Sequence, residues 1–297
     1  MPLEEFIIWV YCWTDENVVK VLGNQKLRSR GFKPALSDVE VITMEIVGEF
    51  LSHDTDKAIW EYFKTHWLSL FPKLSSRSSF AKQASNLWHV KQLLQNLLNN
   101  QSSMDAQCFI VDGFPMQTAH FKRANKSRNF KGEAGYGYCA SKSETYYGFK
   151  GHLLIDDTGN ITNFTLTEAS GSEREAVWEL AEHKKQNFLL GDKGYLSATF
   201  KEDLYNEQAL KLETPVRHNM VDHLDKSERT FLNKTRRLVE TVIGQLTGQF
   251  NMNKVWARKI WTLSGRLSRK ILAHSLGMLA NTQLKNKPLQ LEHVITV

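Results

Sequence analysis

The sequence predicts an α/β protein in which helices flank a mixed β-sheet and an all-helical region precedes it. Apolar residues recur at helical spacing over about the first 105 residues. Short segments rich in β-branched and aromatic residues follow between residues 107 and 216, and the later ones alternate with helical segments. An early antiparallel meander followed by strand–helix alternation is typical of a mixed sheet with helices on its faces.

The N-terminal region is predicted to be helical throughout, beginning with the apolar segment FIIWVYCW. The capping-box pattern Ser37-Asp38-Val39-Glu40 begins a helix that runs to Phe50-Leu51. An aromatic-rich helix follows from Ala58 to Leu70, and a longer helix, with an apolar stripe from Phe80 to Leu98, follows the serine-rich stretch 75–79.

A polar break at 99–103 predicts a domain boundary. We therefore expect a helical domain at 1–103, a second domain at 104–283 and a C-terminal tail at 284–297.

The second domain should contain five strands, joined by helices in its later half. The predicted strands are Gln107–Val111, Tyr146–Asp156, Asn160–Thr167, Gln186–Leu190 and Leu210–Val216. The predicted helices are Ser172–Glu182, Ser197–Gln208, Asp225–Phe250 and Trp261–Gln283. The turn sequence Asp157-Thr158-Gly159-Asn160 predicts that the second and third strands form a hairpin.

The composition indicates an ordinary globular protein with strongly basic segments. Hydrophobic residues make up 41% and charged residues 24%, and the formal net charge is +6. Ten Lys or Arg and one acid lie between Arg229 and Lys270, and seven against two lie between Thr118 and Lys150. Such clusters are typical of proteins that bind a polyanion, although solvated basic faces would show the same pattern.

Other features of the composition exclude several classes of protein. No apolar run reaches the roughly 18 residues of a membrane span, and the acidic start MPLEE is unlike a signal peptide. Three widely spaced cysteines without a C-x-x-C pair argue against disulfides and structural zinc. We expect a cytoplasmic protein.

Two aspartates follow predicted strands, Asp112 after CFIV and Asp192 after FLLG. Either alone could simply form a turn. If the two strands are parallel neighbours, their carboxylates lie side by side and repel unless a cation separates them. Oxygen ligands without a Cys or His cluster select Mg²⁺ or Mn²⁺. His120 and His152 lack zinc-site spacing, and we expect His152 to pack or hydrogen-bond on its strand.

A third carboxylate is needed to complete such a site, and Glu240 is the preferred candidate. It is the only acid in the basic segment 229–270 and follows Arg236 by four residues, on the same helix face. The two residues could also form only a surface ion pair. Glu213, near the end of a predicted strand, is the alternative third acid.

These three acids, in this order and context, resemble the triad of DDE transposases from bacterial insertion sequences, which have an RNase H-like core. Asp112 ends a predicted strand, Asp192 belongs to a D-K-G-Y element after a later strand, and Glu240 follows Arg236 in an R-x-x-x-E pattern. The resemblance covers about residues 107–250.

Two positions depart from the pattern of related families. Asn233 occupies a position where tyrosine is common, and Thr247 one where lysine is common. Both departures concern the residues that hold terminal phosphates rather than the acids. Gly191 and Gly194, beside Asp192, are expected to let the DNA backbone and metal ions come close.

The resemblance implies an enzyme that cuts and joins DNA ends by metal-dependent phosphodiester hydrolysis and strand transfer. Asp112, Asp192 and Glu240 would hold Mg²⁺ or Mn²⁺, as two ions. The partners would be double-stranded DNA, as transposon terminal repeats and target, and a second copy of the chain in a homodimer.

Basic residues at three places are expected to contact DNA. One group would hold the scissile phosphate, and another would start a helix in the N-terminal domain. The third, in His120–Gly132, would follow the backbone while Phe121 or Phe130 stacks on an unpaired base, unless this segment is a solvated loop. The predicted DNA-binding residues are Lys193, Arg236, Arg237, Lys122, Arg123, Lys126, Arg128, Arg77 and Lys82.

Two alternatives remain at this point. One is an RNase H-like nuclease that hydrolyses DNA without joining it, and the other is a catalytically inactive, transposase-derived DNA-binding protein. A two-carboxylate glycosidase suits the basic surroundings less well.

Overall fold

The computed structural model describes residues 1–102, 106, 108–182, 184, 188–215 and 226–296. Within them the chain is mixed α/β, as predicted. The helices are α1 (Leu3–Leu22), α2 (Asp38–Phe50), α3 (Asp56–His66), α4 (Arg77–Asn86), α5 (Trp88–Ser102), α6 (Glu173–Leu180), α7 (Ala198–Gln208), α8 (Lys226–Gly248) and α9 (Ile260–Gln283). The strands are β1 (Cys108–Ala119), β2 (Gly135–Cys139), β3 (Glu144–Asp156), β4 (Ile161–Glu168), β5 (Phe188–Leu190) and β6 (Lys211–Glu213). Four predicted element ends lie outside the described residues: Gln107, Gln186, Val216 and Asp225.

The chain divides into two compact units. Unit 1 combines residues 1–100 with 246–297, and unit 2 comprises residues 101–245. An isolated β-bridge joins Pro2 to Thr296, so the two ends of the chain meet within unit 1. The sequence-based division placed residues 246–283 with the strands, whereas the structure groups them with the N-terminal helices. The assignment of a DNA-binding and a catalytic domain stays a prediction.

Unit 1 contains a buried network of ion pairs between helices. Lys91 of α5 donates to both carboxylate oxygens of Glu45 of α2, at 2.9 and 2.8 Å, and both side chains are fully buried. On α9, Arg269 and Lys270 both pair with Glu49 of α2, the latter at 2.7 Å. Losing one member would leave a buried charge unpaired, so the network favours one arrangement of α2, α5 and α9.

The N-terminal helices follow the sequence-based prediction with two differences. The capping box at Ser37 is confirmed, since its hydroxyl accepts from the Glu40 N–H while the Glu40 carboxylate accepts from the Ser37 N–H. The aromatic-rich helix, expected to run to Leu70, ends at His66 as α3. The single long helix expected after residue 79 is instead two, α4 and α5, because the Leu87 N–H bonds to the carbonyls of both Gln83 and Ala84 and tightens the turn.

Unit 2 is built on one mixed sheet with the strand order β2-β3-β1-β5-β6, and β4 also pairs with β3. The pairs β1–β3, β2–β3 and β3–β4 are antiparallel, whereas β1–β5 and β5–β6 are parallel. The predicted hairpin is confirmed, since Asp156 at the end of β3 accepts hydrogen bonds from Thr158 and Asn160 before β4 begins. Helices α6 and α7 bury Val177, Leu180, Phe200 and Leu204 in the core of this unit.

Two sequence-based expectations about the strands were wrong. β2 was missed because it alternates glycine with tyrosine, and glycine lowers strand propensity. β1 was expected to end at Val111 but continues to Ala119. Its parallel pairing with β5 stops at Ile110, whereas its antiparallel pairing with β3 continues. Pro115 is tolerated because β1 has only one described neighbour there.

Candidate active site

Asp112 and Asp192 lie at the same level of two neighbouring parallel strands. Ile110 of β1 pairs with Leu190 of β5, and each aspartate stands two residues further along its chain. The condition stated for the two strands is therefore met, since β1 and β5 are parallel neighbours about 4.8 Å apart. Because β1 continues, Asp112 lies within the strand rather than at its end.

Arg236 of α8 joins Asp192 to Glu240. Its Nη1 donates to Asp192 Oδ1 at 3.0 Å, and its Nη2 donates to Glu240 Oε1 at 2.9 Å. The hydrogen bond to Glu240, and then the charges of Asp192, Glu240 and Asp112, raise the pKa of Arg236. A guanidinium cation thus occupies the position between two of the three predicted acids.

The surroundings of Asp112 disfavour its ionised form. Burial is the largest cause that raises its pKa, to about 6, and the negative charges of Asp192 and Glu173 act in the same direction. A hydrogen bond at 2.8 Å from the Gly113 N–H and the charge of Arg236 oppose the rise. Asp112 is therefore a carboxylate whose negative charge is poorly compensated, as expected of a residue that binds a cation.

Glu173 is a fourth acid near Asp112 that the sequence analysis missed. It is the first residue of α6, and its Oε1 accepts from Lys150 Nζ of β3 at 3.0 Å. A Cβ on Gly194 would lie 2.6 Å from Glu173 Oε2, so a side chain at this position would displace the carboxylate. In the sequence, Glu173 looks like an ordinary acid in a first helical turn, where it favours the helix dipole.

Polar side chains are also buried beneath this edge of the sheet. His152 Nε2 lies 2.9 Å from Thr167 Oγ1, which confirms that this histidine hydrogen-bonds on its strand. Burial, and then the charge of Lys150, lower the pKa of His152 to about 4, so its ring is neutral at pH 7. Tyr195 is buried, and its hydroxyl has no hydrogen-bond partner among the described residues.

The two glycines of the D-K-G-Y element lie close to other side chains of unit 2. A Cβ on Gly191 would lie 2.9 Å from Cδ2 of Tyr195, and Gly194 accommodates Glu173. Both glycines therefore have close neighbours within unit 2, and the expectation that they admit the DNA backbone and metal ions stays a prediction.

Glu213, the alternative third acid, has other partners. It lies 3.2 Å from Lys211 and 3.9 Å from Lys201. The hydrogen bonds of Arg236 favour Glu240 instead, and this choice stays a prediction.

The carboxylate oxygens of the three acids are suitable ligands for a hard divalent cation, although the described residues contain no preformed metal site. No three His, Cys, Asp or Glu side chains in the described ranges are close enough together to hold an ion. Asp112, Asp192 and Glu240 offer only oxygen ligands, which suit Mg²⁺ or Mn²⁺. Arg236 places positive charge between Asp192 and Glu240, which shows that these two carboxylates accommodate a cation.

The predicted DNA-binding residues are distributed over both units. Lys193 is exposed beside Asp192, and Arg237 is exposed on α8. In unit 1, Arg77 and Lys82 are exposed on α4, whose first turn is capped by Ser76. Four more are exposed in or just after the short 3-10 helix Phe121–Lys126: Lys122, Arg123, Lys126 and Arg128.

Of the two aromatic residues predicted to stack on a base, only one is accessible. Phe121 is exposed, whereas Phe130 is buried, with its ring centroid 5.2 Å from that of Phe149. Phe130 is therefore a core residue, and its predicted stacking role was wrong.

Comparison with protein-family models matches residues 102–260 to the family described as "Transposase DDE domain". The match spans more than half of the 297 residues and includes Asp112, Asp192 and Glu240. Comparisons with curated proteins and with solved structures gave no match. Within the described residues, every helix is too short or too polar to cross a membrane.

Proposed function

The chain belongs to the DDE transposase family, and from this premise we propose that it cuts and joins the ends of an insertion sequence. The reactions are metal-dependent phosphodiester hydrolysis and strand transfer. The observation that supports this proposal best is the pair of hydrogen bonds by which Arg236 links Asp192 to Glu240, near the partly buried Asp112.

Asp112, Asp192 and Glu240 would hold two Mg²⁺ or Mn²⁺ ions. When bound, such ions activate the attacking oxygen and stabilise the leaving oxygen of a phosphodiester. The pKa of Asp112 is raised because too little positive charge lies near its carboxylate. A bound cation would therefore stabilise the ionised form of Asp112.

Arg236 keeps Asp192 and Glu240 in place before the substrate binds, because one guanidinium donates to both. Its planar group is also suited to two hydrogen bonds with a phosphate. We propose that Arg236 exchanges a carboxylate partner for the scissile phosphate. The exposed Lys193 and Arg237 would add positive charge beside that phosphate.

Double-stranded DNA is the proposed partner, as terminal repeats and as target. Arg77 and Lys82 of α4 would bind phosphates of the terminal repeats, and the basic residues that follow β1 would track the backbone. Joining two ends requires two active sites on one DNA complex, so we propose a homodimer that acts in the bacterial cytoplasm.

The catalytic proposal is tested with Asp112→Asn, Asp192→Asn and Glu240→Gln on a DNA fragment that carries both flanks of the gene. Each substitution should abolish Mg²⁺-dependent cleavage and weaken Mg²⁺ binding in calorimetry, with DNA binding unchanged. Glu213→Gln is the matched control and should cleave normally. Cleavage by Glu240→Gln together with its loss in Glu213→Gln would identify Glu213 as the third acid.

The same assay separates the remaining functions. Hydrolysis of the fragment without joined products would indicate a plain nuclease. DNA binding without Mg²⁺ binding to the wild-type protein would indicate an inactive DNA-binding protein.

The role of α4 in DNA binding needs substitutions rather than a deletion, because residues 246–297 depend on residues 1–100 to complete unit 1. Arg77→Gln combined with Lys82→Gln should weaken binding to the flanking DNA in a gel-shift assay. Arg30→Gln combined with Lys33→Gln, which removes two exposed cations elsewhere in unit 1, is the control. Equal affinities of the two double variants would contradict this role.

A further inference from the structure

Strand β2 presents two tyrosines to solvent. Tyr136 is 47% exposed and Tyr138 is 64% exposed. The alternate residues are glycines, and a Cβ on Gly137 would lie 2.7 Å from the backbone oxygen of Ala169. The backbone at Ala169 approaches one face of β2 so closely that Gly137 has no room for a side chain. The two tyrosines lie on the other face.

Phe121 extends this surface from the neighbouring 3-10 helix. It is 48% exposed, and its ring centroid lies 5.7 Å from that of Tyr136 in an edge-to-face arrangement. Tyr136 in turn lies 5.0 Å from Tyr147, which is buried and supports it from below. We call Phe121, Tyr136 and Tyr138 the aromatic platform.

Exposed cations surround the aromatic platform in the sequence. None of them forms an ion pair with another residue in the described part of the chain, and only two acids, Glu133 and Glu144, lie in the same segment. The cations are Lys122, Arg123, Lys126, Arg128, Lys131 and Lys142. Exposed rings in a segment with several exposed cations match the bases and phosphates of a nucleic acid.

We propose that the aromatic platform binds unpaired nucleotides of a DNA strand. A base can stack on a side chain only if its face is free, which excludes bases inside a duplex. Tyr136 and Tyr138 are two residues apart on one strand, about 7 Å, so each ring can take its own base. Single-strand binders built on sheets use exposed aromatic residues in this way. The choice of DNA as the ligand rests on the proposed function.

The aromatic platform lies well away from Asp112 along the same sheet. Asp112 pairs with Leu153 of β3, whereas Tyr136 pairs with Tyr147 of the same strand. Six residues of β3 separate the two levels, which is about 20 Å. If successive nucleotides keep the spacing of about 7 Å between the two rings, the bound bases lie roughly three nucleotides from the scissile phosphate. The platform would therefore hold strands opened at some distance from the cut.

The test uses the full-length protein in EDTA, so that no cleavage occurs, and a fluorescein-labelled 12-nucleotide dT strand. Tyr136→Ile combined with Tyr138→Ile removes both rings and keeps a residue that favours β-strands. This variant should bind the single strand at least about tenfold more weakly, since each stacked base contributes about 5-fold to about 150-fold in affinity. Its affinity for a 12-base-pair duplex should change less than twofold.

Two controls distinguish stacking from a loss of structure. Phenylalanine at both positions keeps the rings and should restore binding of the dT strand to within threefold of the wild type. Tyr205→Leu removes another exposed tyrosine, on α7, and should have no effect. If the double isoleucine variant unfolds at a lower temperature, Phe121→Leu, outside the strand, gives the same test and should weaken binding about fivefold or more.

The proposal is overturned if the isoleucine variant, or Phe121→Leu where it replaces it, binds the dT strand as well as the wild type does. Equal losses in the phenylalanine and isoleucine variants would also overturn it, because the ring then has no role. Wild-type protein that cleaves flanking DNA without binding the dT strand refutes the platform and leaves the proposed function intact. Ring-dependent binding without cleavage supports the platform and refutes the proposed function.

Discussion

Replacing Asp112 with asparagine is expected to stabilise the protein at neutral pH, even though it removes a proposed catalytic residue. The side chain keeps its shape, and its Oδ1 can still accept the hydrogen bond that the Gly113 N–H donates. The substitution removes a negative charge that destabilises the folded state. Burial and the nearby acids raise the pKa of this carboxyl group from 3.8 to about 6.

The size of this effect follows from the pKa difference between the folded and unfolded states. Because the folded pKa of Asp112 is the higher one, its contribution to stability is present below pH 4 and is lost as the pH rises to about 6. Above that pH, a pKa difference of about 2 corresponds to about 3 kcal/mol. Asp112 keeps some contact with solvent, which screens its charge, so we expect an effect of about 1 to 3 kcal/mol.

Urea denaturation in EDTA, at pH 7.5 and again at pH 4, measures this difference. Asp112→Asn should increase the free energy of unfolding at pH 7.5 and have little effect at pH 4. Asp192→Asn is the matched control, because Asp192 is about half exposed and accepts from Arg236, so its replacement should not stabilise the protein. Mg²⁺ should then stabilise the wild type more than Asp112→Asn, as a ligand that binds only the folded state does.

An Asp112→Asn protein that is no more stable than the wild type at pH 7.5 would refute this reasoning. An equal increase in the free energy of unfolding at pH 7.5 and at pH 4 would also refute it, because such an increase could not come from the ionisation of Asp112.

Three further expectations follow. Glu173→Gln should move the acidic limb of Mg²⁺-dependent cleavage to lower pH, because Glu173 raises the pKa of Asp112; an unchanged pH–rate profile would contradict this. Lys91→Met should reduce the free energy of unfolding by about 3 to 5 kcal/mol by leaving Glu45 buried and unpaired, and adding Glu45→Gln should recover much of the loss in thermal melts. Removing residues 288–297 takes away one buried leucine and one buried valine, so the melting temperature should fall in calorimetry, with a stability loss of about 3 to 6 kcal/mol.

The sequence predicted those parts of the fold that depend on local patterns. The capping box at Ser37 and the hairpin turn after Asp156 satisfy backbone groups within a few residues, so their sequences suffice. The apolar runs before Asp112 and Asp192 also indicated two strands, because a short apolar run that ends near an acid is a local pattern, but the pairing of these strands is not local.

The remaining features depend on contacts between residues far apart in the sequence. Nothing near Glu173 indicates that Lys150 and Gly194 meet it, because those contacts come from the packing of α6 on the sheet. Strand β2 was missed because its glycines are explained only by the approach of Ala169. Phe130 and Phe121 look alike in the sequence, and only tertiary packing buries the first and exposes the second.

The discontinuity of unit 1 has a consequence for how the protein is made. Helix α2 is buried on nearly every side, and its partner α9 lies beyond the whole of unit 2 in the sequence. During translation, α2 therefore lacks its partner α9 until unit 2 has been synthesised. Synthesis of unit 2 takes roughly 7 to 30 s at usual elongation rates. A chain that terminates between residues 241 and 259 contains Asp112, Asp192 and Glu240 but lacks α9. Unit 1 can therefore fold only after α9 has been synthesised, so chains that end in this interval keep the three proposed catalytic carboxylates without an intact unit 1.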